Sequence, residues 1–299
     1  MEEVKLKARA KINLGLDVVR KREDGYHEVR MIMQTISLYD KICIRKAEGR
    51  GIQVQTNLKY LPVNEDNLVY KAAKLLMDEF QVEQGISIDL QKYIPVAAGM
   101  AGGSSDAAAV LIGVNKLFEL GLSKKELMRR AVKIGADVPY CVMRGTALAE
   151  GIGEKLTPMP PMPDCHILIA KPKIYVSTKF VYQNLRANEL QEHPDIDGQI
   201  EALKNGDLYM LAQKMGNVLE KVTIPEHPVI SEIKDIMLEN GACNSMMSGS
   251  GPTVFGLFED EEKALAAKKE LENQSDIQKV YLCKAYNVRE NRGEKGSRR

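Results

Sequence analysis

One segment, residues 95–110 (PVAAGMAGGSSDAAAV), constrains the fold of this chain more than any other. Before it, the alternating residues 85–95 (GISIDLQKYIP) predict a strand that stops at proline. After it, the apolar run SSDAAAVLIGVNKLFEL predicts a long buried helix. The glycines between the two let the backbone turn and approach a ligand closely, since they carry no Cβ. The segment therefore predicts a strand, a glycine turn and a helix with an open N-terminus.

This turn has two interpretations, phosphate binding and simple packing. The free N–H groups and positive dipole end of the helix suit phosphates, and the hydroxyls of Ser104 and Ser105 can bind phosphate oxygens or help hold Mg²⁺. A turn of small residues that only lets a helix pack against a sheet would look the same. The spacing matches neither a Walker loop, GxxxxGK[ST], nor a GxGxxG dinucleotide turn. On the residues alone, neither interpretation prevails.

Two further segments place polar residues beside glycine or in apolar surroundings. Residues 247–258 (MSGSGPTVFGLF) put Ser250 between two glycines just before a predicted strand, which suits either a second phosphate loop or an ordinary tight turn. Asp137 is the only acid between residues 133 and 145. A buried carboxylate needs a partner or a function, although aspartate is also a common helix cap. For each segment alone, the structural interpretation is the simpler one.

The N-terminal quarter reads mainly as strands and contains a lysine and an aromatic pair suited to a site. Lys11 lies within an apolar first strand, where the default orientation of a lysine is outward. Tyr26 and His27 follow a turn predicted at Asp24 and Gly25. An aromatic face beside an imidazole can bind a planar base, but a hairpin with tyrosine and histidine on its surface would have the same sequence pattern.

Composition narrows the class of protein. The 299 residues carry 42 basic and 41 acidic side chains, a formal net charge of +1, which argues against a nucleic-acid-binding protein. The five cysteines are scattered and form no CxxC pair, so a disulfide framework or zinc knuckle is not expected. The acidic start is unlike a signal peptide, and no apolar run approaches the ~18 residues that span a bilayer. We expect a cytoplasmic protein without membrane or nucleic-acid partners.

The predicted domain boundary is the proline-rich stretch 157–164 (TPMPPMPD), because proline interrupts both helices and strand ladders. We expect one domain over residues 1–157 and a second over 158–286, both mixtures of helix and strand. Residues 287–299 form a basic tail with little to bury, and disorder is expected there.

In combination and in this order, these segments resemble the GHMP kinases. The resemblance runs from about residue 5 to residue 285. The stretches that carry it are AKINLGLDV (10–18), DGYHE (24–28), EDNLVYKAAKLL (65–76), PVAAGMAGGSSDAAA (95–109), GADVPYCV (135–142), GTALAEGIGE (145–154) and MSGSGPTVFG (247–256). AKINL followed by DGYH is specific to one subfamily, whereas the glycine–serine loops indicate only the wider family.

The resemblance implies an α+β, two-domain GHMP kinase fold with its active site in the interdomain cleft. The N-terminal domain is expected to be like domain 2 of ribosomal protein S5, including a left-handed βαβ crossover, which is rare among proteins. The C-terminal domain is expected to be ferredoxin-like. The subfamily further implies transfer of the γ-phosphate of ATP, with Mg²⁺, to the 2-hydroxyl of a cytidine-diphosphate-linked methylerythritol in the non-mevalonate isoprenoid pathway.

The resemblance also implies roles for individual residues. Asp137 matches the catalytic base, Lys11 its partner, and Asn13 a residue beside the reacting hydroxyl. Tyr26 and His27 match residues that bind the cytosine, and Tyr182, placed by looser spacing, covers its other face. The residues implied to cradle the ATP phosphates are Pro95, Val96, Ala97, Ala98, Gly99, Met100, Ala101, Gly102, Gly103, Ser104 and Ser105.

The phosphate turn departs from the family pattern at two kinds of position. Many relatives have glycine where this chain has Ala97, Ala98 and Ala101, and we expect these alanines to be right-handed or extended, because positive φ is costly for alanine. Asp106 stands where most of the wider family has a small residue. An acid in the first turn favours the helix, and its place near the phosphates suggests a role with Mg²⁺.

Two other functions stay open at this stage. The first keeps the fold but takes another small alcohol, such as homoserine or a mevalonate derivative; the DGYHE segment argues against it, since those substrates have no base to stack. The second is a paralogue that binds a nucleotide without turnover. The presence of both Lys11 and Asp137 argues against that alternative.

Overall fold

The computed structural model describes residues 1–288, so the predicted tail, 287–299, lies outside them apart from its first two residues. The first sheet is built on a long antiparallel pair, β1 (Glu3–Lys21) and β2 (His27–Ala47). The strands β4 (Gly85–Gln91) and β3 (Ile52–Thr56) extend it, with β4 antiparallel to β2 and β3 parallel to β4. The parallel β3–β4 connection runs through α1 (Leu68–Glu79), whose N-cap Asn67 accepts a hydrogen bond from the Val69 N–H. The hand of this crossover stays a prediction.

Helices cover one face of this sheet. The predicted central helix is α2 (Gly102–Leu117), and its alanine-rich face is buried against α1 and β1. Next come α3 (Lys124–Ala131), which opens with a capping box of Ser123 and Glu126, and the short α4 (Val138–Met143). The strands β5 (Thr146–Gly151) and β6 (Lys155–Pro158) then add to the outer part of β2. β6 ends at the first proline of the predicted boundary segment.

The second half has its own antiparallel sheet. Its strands are β7 (His166–Pro172), β9 (Asn244–Met247), β10 (Val254–Phe258) and β11 (Ile277–Lys284), in the order β11-β7-β10-β9. The helices of this half are α5 (Thr178–Asn184), α6 (Ile196–Asn205), α7 (Leu208–Lys214), α8 (Glu220–Glu226), α9 (Val229–Glu239) and α10 (Glu261–Glu272), with a 3-10 turn at Ala187–Glu189. The predicted mixed fold with two sheets is confirmed; the exact domain limits stay a prediction.

The two halves share a hydrophobic core. Ile12 and Ile32 of the first sheet are buried in the same cluster as Ile169 and Phe255 of the second. A two-residue strand, β8 (Gly216–Asn217), leaves the second half to pair with β1. These contacts hold the two halves together.

The first quarter, predicted to be mainly strands, consists largely of two long ones. β1 and β2 run through 19 and 21 residues. The register of this pair shifts between Arg9 and Lys11 and again between Asn13 and Gly15. Such bulges change the direction of side chains locally, and they flank the two predicted site residues of β1. No helix in residues 1–288 is long and apolar enough to cross a membrane.

Candidate active site

The phosphate turn joins β4 to α2, and its backbone conformation differs from the predicted one. Ala97 and Ala101 have φ of 50° and 52°, so the expectation of right-handed or extended conformations was wrong for both; it holds for Ala98. Left-handed backbone costs alanine about 1–2 kcal/mol. Burial of neighbouring Ala98 and Met100, and a hydrogen bond from the Lys11 N–H to the Met100 carbonyl, hold the turn in place. The helix N-terminus at Gly102 thereby stays free of a side-chain cap.

The two glycine–serine loops meet at Gly99. A Cβ at this position would overlap the carbonyl oxygen of Ser248, so the close approach requires glycine as well as the positive φ of 71°. The Ser248 hydroxyl donates to the Gly99 carbonyl at 3.0 Å. Asn217 of β8 fixes the second loop by donating to the carbonyls of Met247 and Gly249. The second loop is therefore part of the same site as the first.

Lys11 points into the protein, not outward. Its side chain is buried, and Nζ donates to Asn13 Oδ1 at 2.6 Å and to the Gly99 carbonyl at 2.9 Å. Burial lowers the pKa of Lys11, and the negative charge of Asp137 partly opposes that shift. A buried ammonium thus lies directly beneath the meeting point of the two loops.

Asp137 occupies the N-cap position of α4, yet its carboxylate makes no capping hydrogen bond. The side chain is half-buried and lines the same cleft as Lys11. Asp137 therefore has the position of a helix cap, but its side chain does not act as one. This leaves an acceptor in the same cleft as the Lys11 ammonium, close enough for its charge to act on the pKa of Lys11 but not in an ion pair with it.

Most predicted site residues line one cleft of about 790 Å³. It brings together Lys11, Asn13, Tyr26, His27, Ala97, Ala98, Gly99, Ala101, Gly102, Gly103, Ser104, Asp137 and Tyr182, with Gly249 and Ser250 of the second loop. A smaller cavity of about 190 Å³ adjoins it and shares Ala97, Gly102 and Gly103.

Four residues of the predicted phosphate cradle lie elsewhere. Pro95 and Val96 line the smaller cavity, and Met100 is buried under the turn. Ser105 is also buried, and its hydroxyl donates to the Arg9 carbonyl at 2.6 Å, because the helix turns this side chain toward β1. Of the two serines, only Ser104 lines the cleft.

An aromatic group forms the far end of the cleft. The rings of His27 and Tyr182 lie with centroids 5.2 Å apart, and Tyr26 is 60% exposed beside them. Burial lowers the pKa of His27, with Lys21 adding to the shift, so the imidazole is favoured in its neutral form. Its Nε2 is buried without a hydrogen-bond partner among the described residues. The group can stack on a planar ring and hydrogen-bond its edge.

A buried charge cluster beneath the turn was not predicted. Lys92 pairs with Asp106 at 2.6 Å and with Asp40, which also accepts the N–H groups of Tyr93 and Ile94. Asp106 therefore pairs with Lys92 and lines the smaller cavity, not the main cleft, and its role with Mg²⁺ stays a prediction. Burial raises the pKa of Asp106, and Lys92 opposes that shift. The sequence feature that could have indicated this cluster was Asp40, an acid between the apolar runs of β2.

The cleft offers few protein ligands for Mg²⁺. Residues 1–288 contain no group of three or more His, Cys, Asp or Glu side chains that could hold a metal. In ATP sites, however, Mg²⁺ keeps several waters and is bound largely by the phosphates, with few protein ligands. The Ser104 hydroxyl at the open helix end fits that limited role.

Comparison with known proteins agrees with this geometry. The GHMP kinases N terminal domain matches residues 67–145, and the GHMP kinases C terminal domain matches residues 199–276. A 4-diphosphocytidyl-2-C-methyl-D-erythritol kinase of Lachnospira eligens is 58% identical over 96% of this chain and 99% of its own length. A protein of the same name from Clostridioides difficile is 53% identical, over 91% of this chain and 92% of its own length.

Solved structures give the same result. A crystal structure of 4-(cytidine 5'-diphospho)-2C-methyl-D-erythritol kinase superposes with a TM-score of 0.82 at 31% identity, covering 95% of this chain and 100% of the other. A homoserine kinase from Cytophaga hutchinsonii shares the fold, with a TM-score of 0.77 at 21% identity and 94% of each chain covered. The chain therefore belongs to the GHMP kinases, in the family of 4-diphosphocytidyl-2-C-methyl-D-erythritol kinases.

Proposed function

We propose that this protein transfers the γ-phosphate of ATP to the 2-hydroxyl of 4-diphosphocytidyl-2-C-methyl-D-erythritol. The observation that carries the proposal is one cleft lined by Lys11 and Asp137, the phosphate turn and the aromatic group. This combination supports a kinase whose acceptor carries a planar base. The substrate belongs to isoprenoid precursor synthesis, and the cytoplasm is the expected location.

In this proposal, the phosphates of ATP lie across the N-terminus of α2. The free N–H groups after Ala101 and the helix dipole suit its phosphates. The nucleoside would lie against the adjoining smaller cavity, which Val96, Leu61 and Pro62 help to line and which takes only part of it. That cavity meets the main cleft at Gly102 and Gly103, so the terminal phosphate points toward Lys11 and Asp137.

The acceptor occupies the other end of the cleft. Cytosine would stack on Tyr26 with Tyr182 on the opposite side, and the unpartnered Nε2 of His27 would hydrogen-bond the base edge. The methylerythritol hydroxyl then reaches Asp137, with Asn13 beside it held by Lys11.

The chemistry assigned to each residue follows from its charge and position. Asp137 accepts the hydroxyl proton as the oxygen attacks the γ-phosphorus, and the Lys11 ammonium stabilises the carboxylate and the developing alkoxide. The amides at the start of α2 bind the phosphoryl oxygens, on which charge collects during the transfer. Bound Mg²⁺ would neutralise phosphate charge, with Ser104 as its nearest protein hydroxyl.

An acceptor panel tests this function. Purified protein is incubated with Mg-ATP and, separately, the cytidyl substrate, homoserine and mevalonate, and ADP release is measured. We expect release with the cytidyl substrate alone. Turnover of homoserine or mevalonate would select the alternative acceptor, and ATP binding without any turnover would select the non-catalytic paralogue.

The base site has its own test. Tyr26→Ala removes an exposed ring assigned to the base and not to the phosphates, so we expect KM for the cytidyl substrate to rise at least tenfold while KM for ATP changes less than twofold. The matched control is Tyr209→Ala, an exposed tyrosine on α7 outside the cleft. Equal loss for both substrates would contradict the stacking role.

A further inference from the structure

A second pocket of about 300 Å³ lies behind α4, away from the cleft. Its floor is apolar and comes from three helices, with Ile112 of α2, Leu127 of α3, and Val142 and Met143 at the end of α4. None of the described residues that line it is acidic. At ~30 Å³ per heavy atom, the volume holds roughly ten atoms of a ligand.

The rim of this pocket is cationic. Lys124 and Arg144 line it, together with Tyr286, and the Arg9 guanidinium stacks on the Tyr286 ring at 3.8 Å. These cations donate to backbone carbonyls instead of carboxylates: Lys124 to Met143, Arg9 to Ser37 and Arg144 to Lys7. Burial lowers the pKa of both Arg9 and Lys124, and the charge of Arg144 adds to each shift. Crowded like charges are unfavourable unless an anion joins them.

Arg144 also has an unfavourable backbone. Its φ of 62° and ψ of 177° fall in a region that is essentially restricted to glycine. The tight turn is held by the bond from the Arg144 N–H to the Tyr140 carbonyl and by the bond from the Gly145 N–H to Thr35. The conformation directs the arginine at the end of α4 to the pocket rim. Strain of this kind is concentrated at ligand sites.

The helix behind this pocket is the one that begins after the catalytic base. α4 is six residues long, with Asp137 at its N-cap and Arg144 at its C-cap. At about 1.5 Å per residue, the two ends are roughly 9 Å apart. This short helix is therefore the connection through which a ligand at Met143 or Arg144 would act on Asp137.

We propose that this pocket, named here the α4 pocket, is a second ligand site for a small amphiphilic anion, a hydrocarbon chain with a phosphate or diphosphate head, whose binding withdraws Asp137 from the acceptor. The hydrocarbon fills the apolar floor, and the head group pairs with Lys124 and Arg144. Arginine and lysine together favour a phosphate head, which accepts several charge-assisted hydrogen bonds. Pairing with the head group draws the Arg144 and Lys124 side chains together, and the resulting shift at the end of α4 is carried along the helix to Asp137.

Binding is tested with n-octyl phosphate by calorimetry on the full chain without substrates. We expect it to bind at least tenfold more tightly than octanol or inorganic phosphate. Arg144→Gln and Lys124→Gln should each weaken binding at least fivefold, whereas Arg129→Gln, an exposed arginine of α3 outside the pocket, should change it less than twofold. Equal binding of octanol, or unchanged binding by both pocket variants, would overturn the site.

A chain ending at Val288 tests whether the segment 289–299 is the natural occupant. Binding of octyl phosphate that appears only after this truncation would assign the pocket to the chain's own tail and overturn the proposal. Binding equal in both forms supports it.

The coupling to Asp137 is tested by kcat at saturating substrates. This half of the inference rests on the proposed function, while the binding half does not, so the two fail separately. Saturating octyl phosphate should lower kcat at least fivefold, within the usual range of coupling between sites. The same concentration should leave kcat of Arg144→Gln nearly unchanged. An unchanged or increased kcat in the wild type would overturn the coupling.

Discussion

Asp137 is the residue on which the proposed chemistry depends most directly. Because its carboxylate makes no capping bond in α4, Asp137→Asn keeps the shape of the site and removes only the base. We expect kcat to fall by ~10²–10⁴. The free energy of unfolding should stay within about 0.5 kcal/mol of the wild type, as for substitutions without a structural role. Steady-state kinetics and urea unfolding measure the two quantities, and a variant with near-normal kcat would remove Asp137 from its role.

Lys11 gives activity and stability opposite dependences on pH. Its pKa lies below the ordinary lysine value of 10.5 because the ammonium is buried. As pH rises through the lowered pKa, the ammonium proposed to stabilise the alkoxide is lost, so kcat should fall. Between that pKa and 10.5 the unfolded chain binds more protons than the folded one, so the free energy of unfolding gains from this group as pH rises.

The control for this prediction is Lys11→Met. It should abolish the contribution to stability that increases with pH, because no group at position 11 then titrates. Profiles of kcat and of urea unfolding between pH 7 and 10.5 provide the measurement. A wild-type kcat that stays flat to pH 10.5 would contradict the assignment.

For individual residues, the sequence predicted which ones belong to the site better than it predicted where their side chains point. The family resemblance, not the residues alone, predicted Lys11, Asp137, Tyr26 and His27 as site residues, and the structure brings all four to one cleft. The orientation of Ser105 toward Arg9 was not predictable, because it depends on how α2 lies over β1. Whether a lysine in a strand points inward depends on bulges, which sequence alternation alone does not reveal.

Among the elements, the phosphate turn holds strain that glycine would relieve. Ala101 has a left-handed conformation at the N-cap of α2, where glycine carries no penalty. Ala101→Gly should therefore raise the free energy of unfolding by about 1 kcal/mol and leave kcat close to normal. Ala107→Gly, in the buried interior of the same helix, should lower it by at least about 1 kcal/mol. Chemical unfolding distinguishes these signs, and a destabilised Ala101→Gly protein would contradict the strain argument.

The helix and the sheet beneath it are joined by the cluster of Lys92, Asp40 and Asp106. Lys92→Met leaves two buried carboxylates without their cation, and breaking a buried pair in this way costs about 3–5 kcal/mol. Lys74→Met is the matched control, because Lys74 pairs with Asp78 on the surface. Loss of an exposed pair should cost less than about 1 kcal/mol. Comparable urea midpoints for the two variants would show that the cluster does not stabilise the fold.

This cluster also shows why elements were easier to predict than their assembly. The apolar run after the phosphate turn correctly predicted α2, since that signal is local along the chain. The short strands β3, β5, β6 and β8 were missed because they are defined by their partners. Asp40, Lys92 and Asp106 are likewise 52 and 14 residues apart, and only tertiary pairing brings them together.

Across the whole molecule, the predicted boundary near residue 157 separates two sheets without separating two cores. Ile12 of β1 shares its cluster with Phe255 of β10, and Gly15 packs so closely on Gln199 that a Cβ would overlap its side chain. We therefore expect residues 1–158 alone to expose this shared apolar surface and fail to fold cooperatively. The full chain should unfold in one thermal transition, with equal calorimetric and van't Hoff enthalpies.

Gly15→Ala is the variant that examines this shared core. Because the added Cβ forces Gln199 and Ile196 apart from β1, the melting temperature should fall, yet the transition should stay single, since neither half retains a complete core without the other. Differential scanning calorimetry of the wild type, Gly15→Ala and residues 1–158 measures all three outcomes. Two resolved transitions in the full chain, or a cooperative transition from residues 1–158, would mean that the halves are stable independently and that the cleft between them is formed by docking.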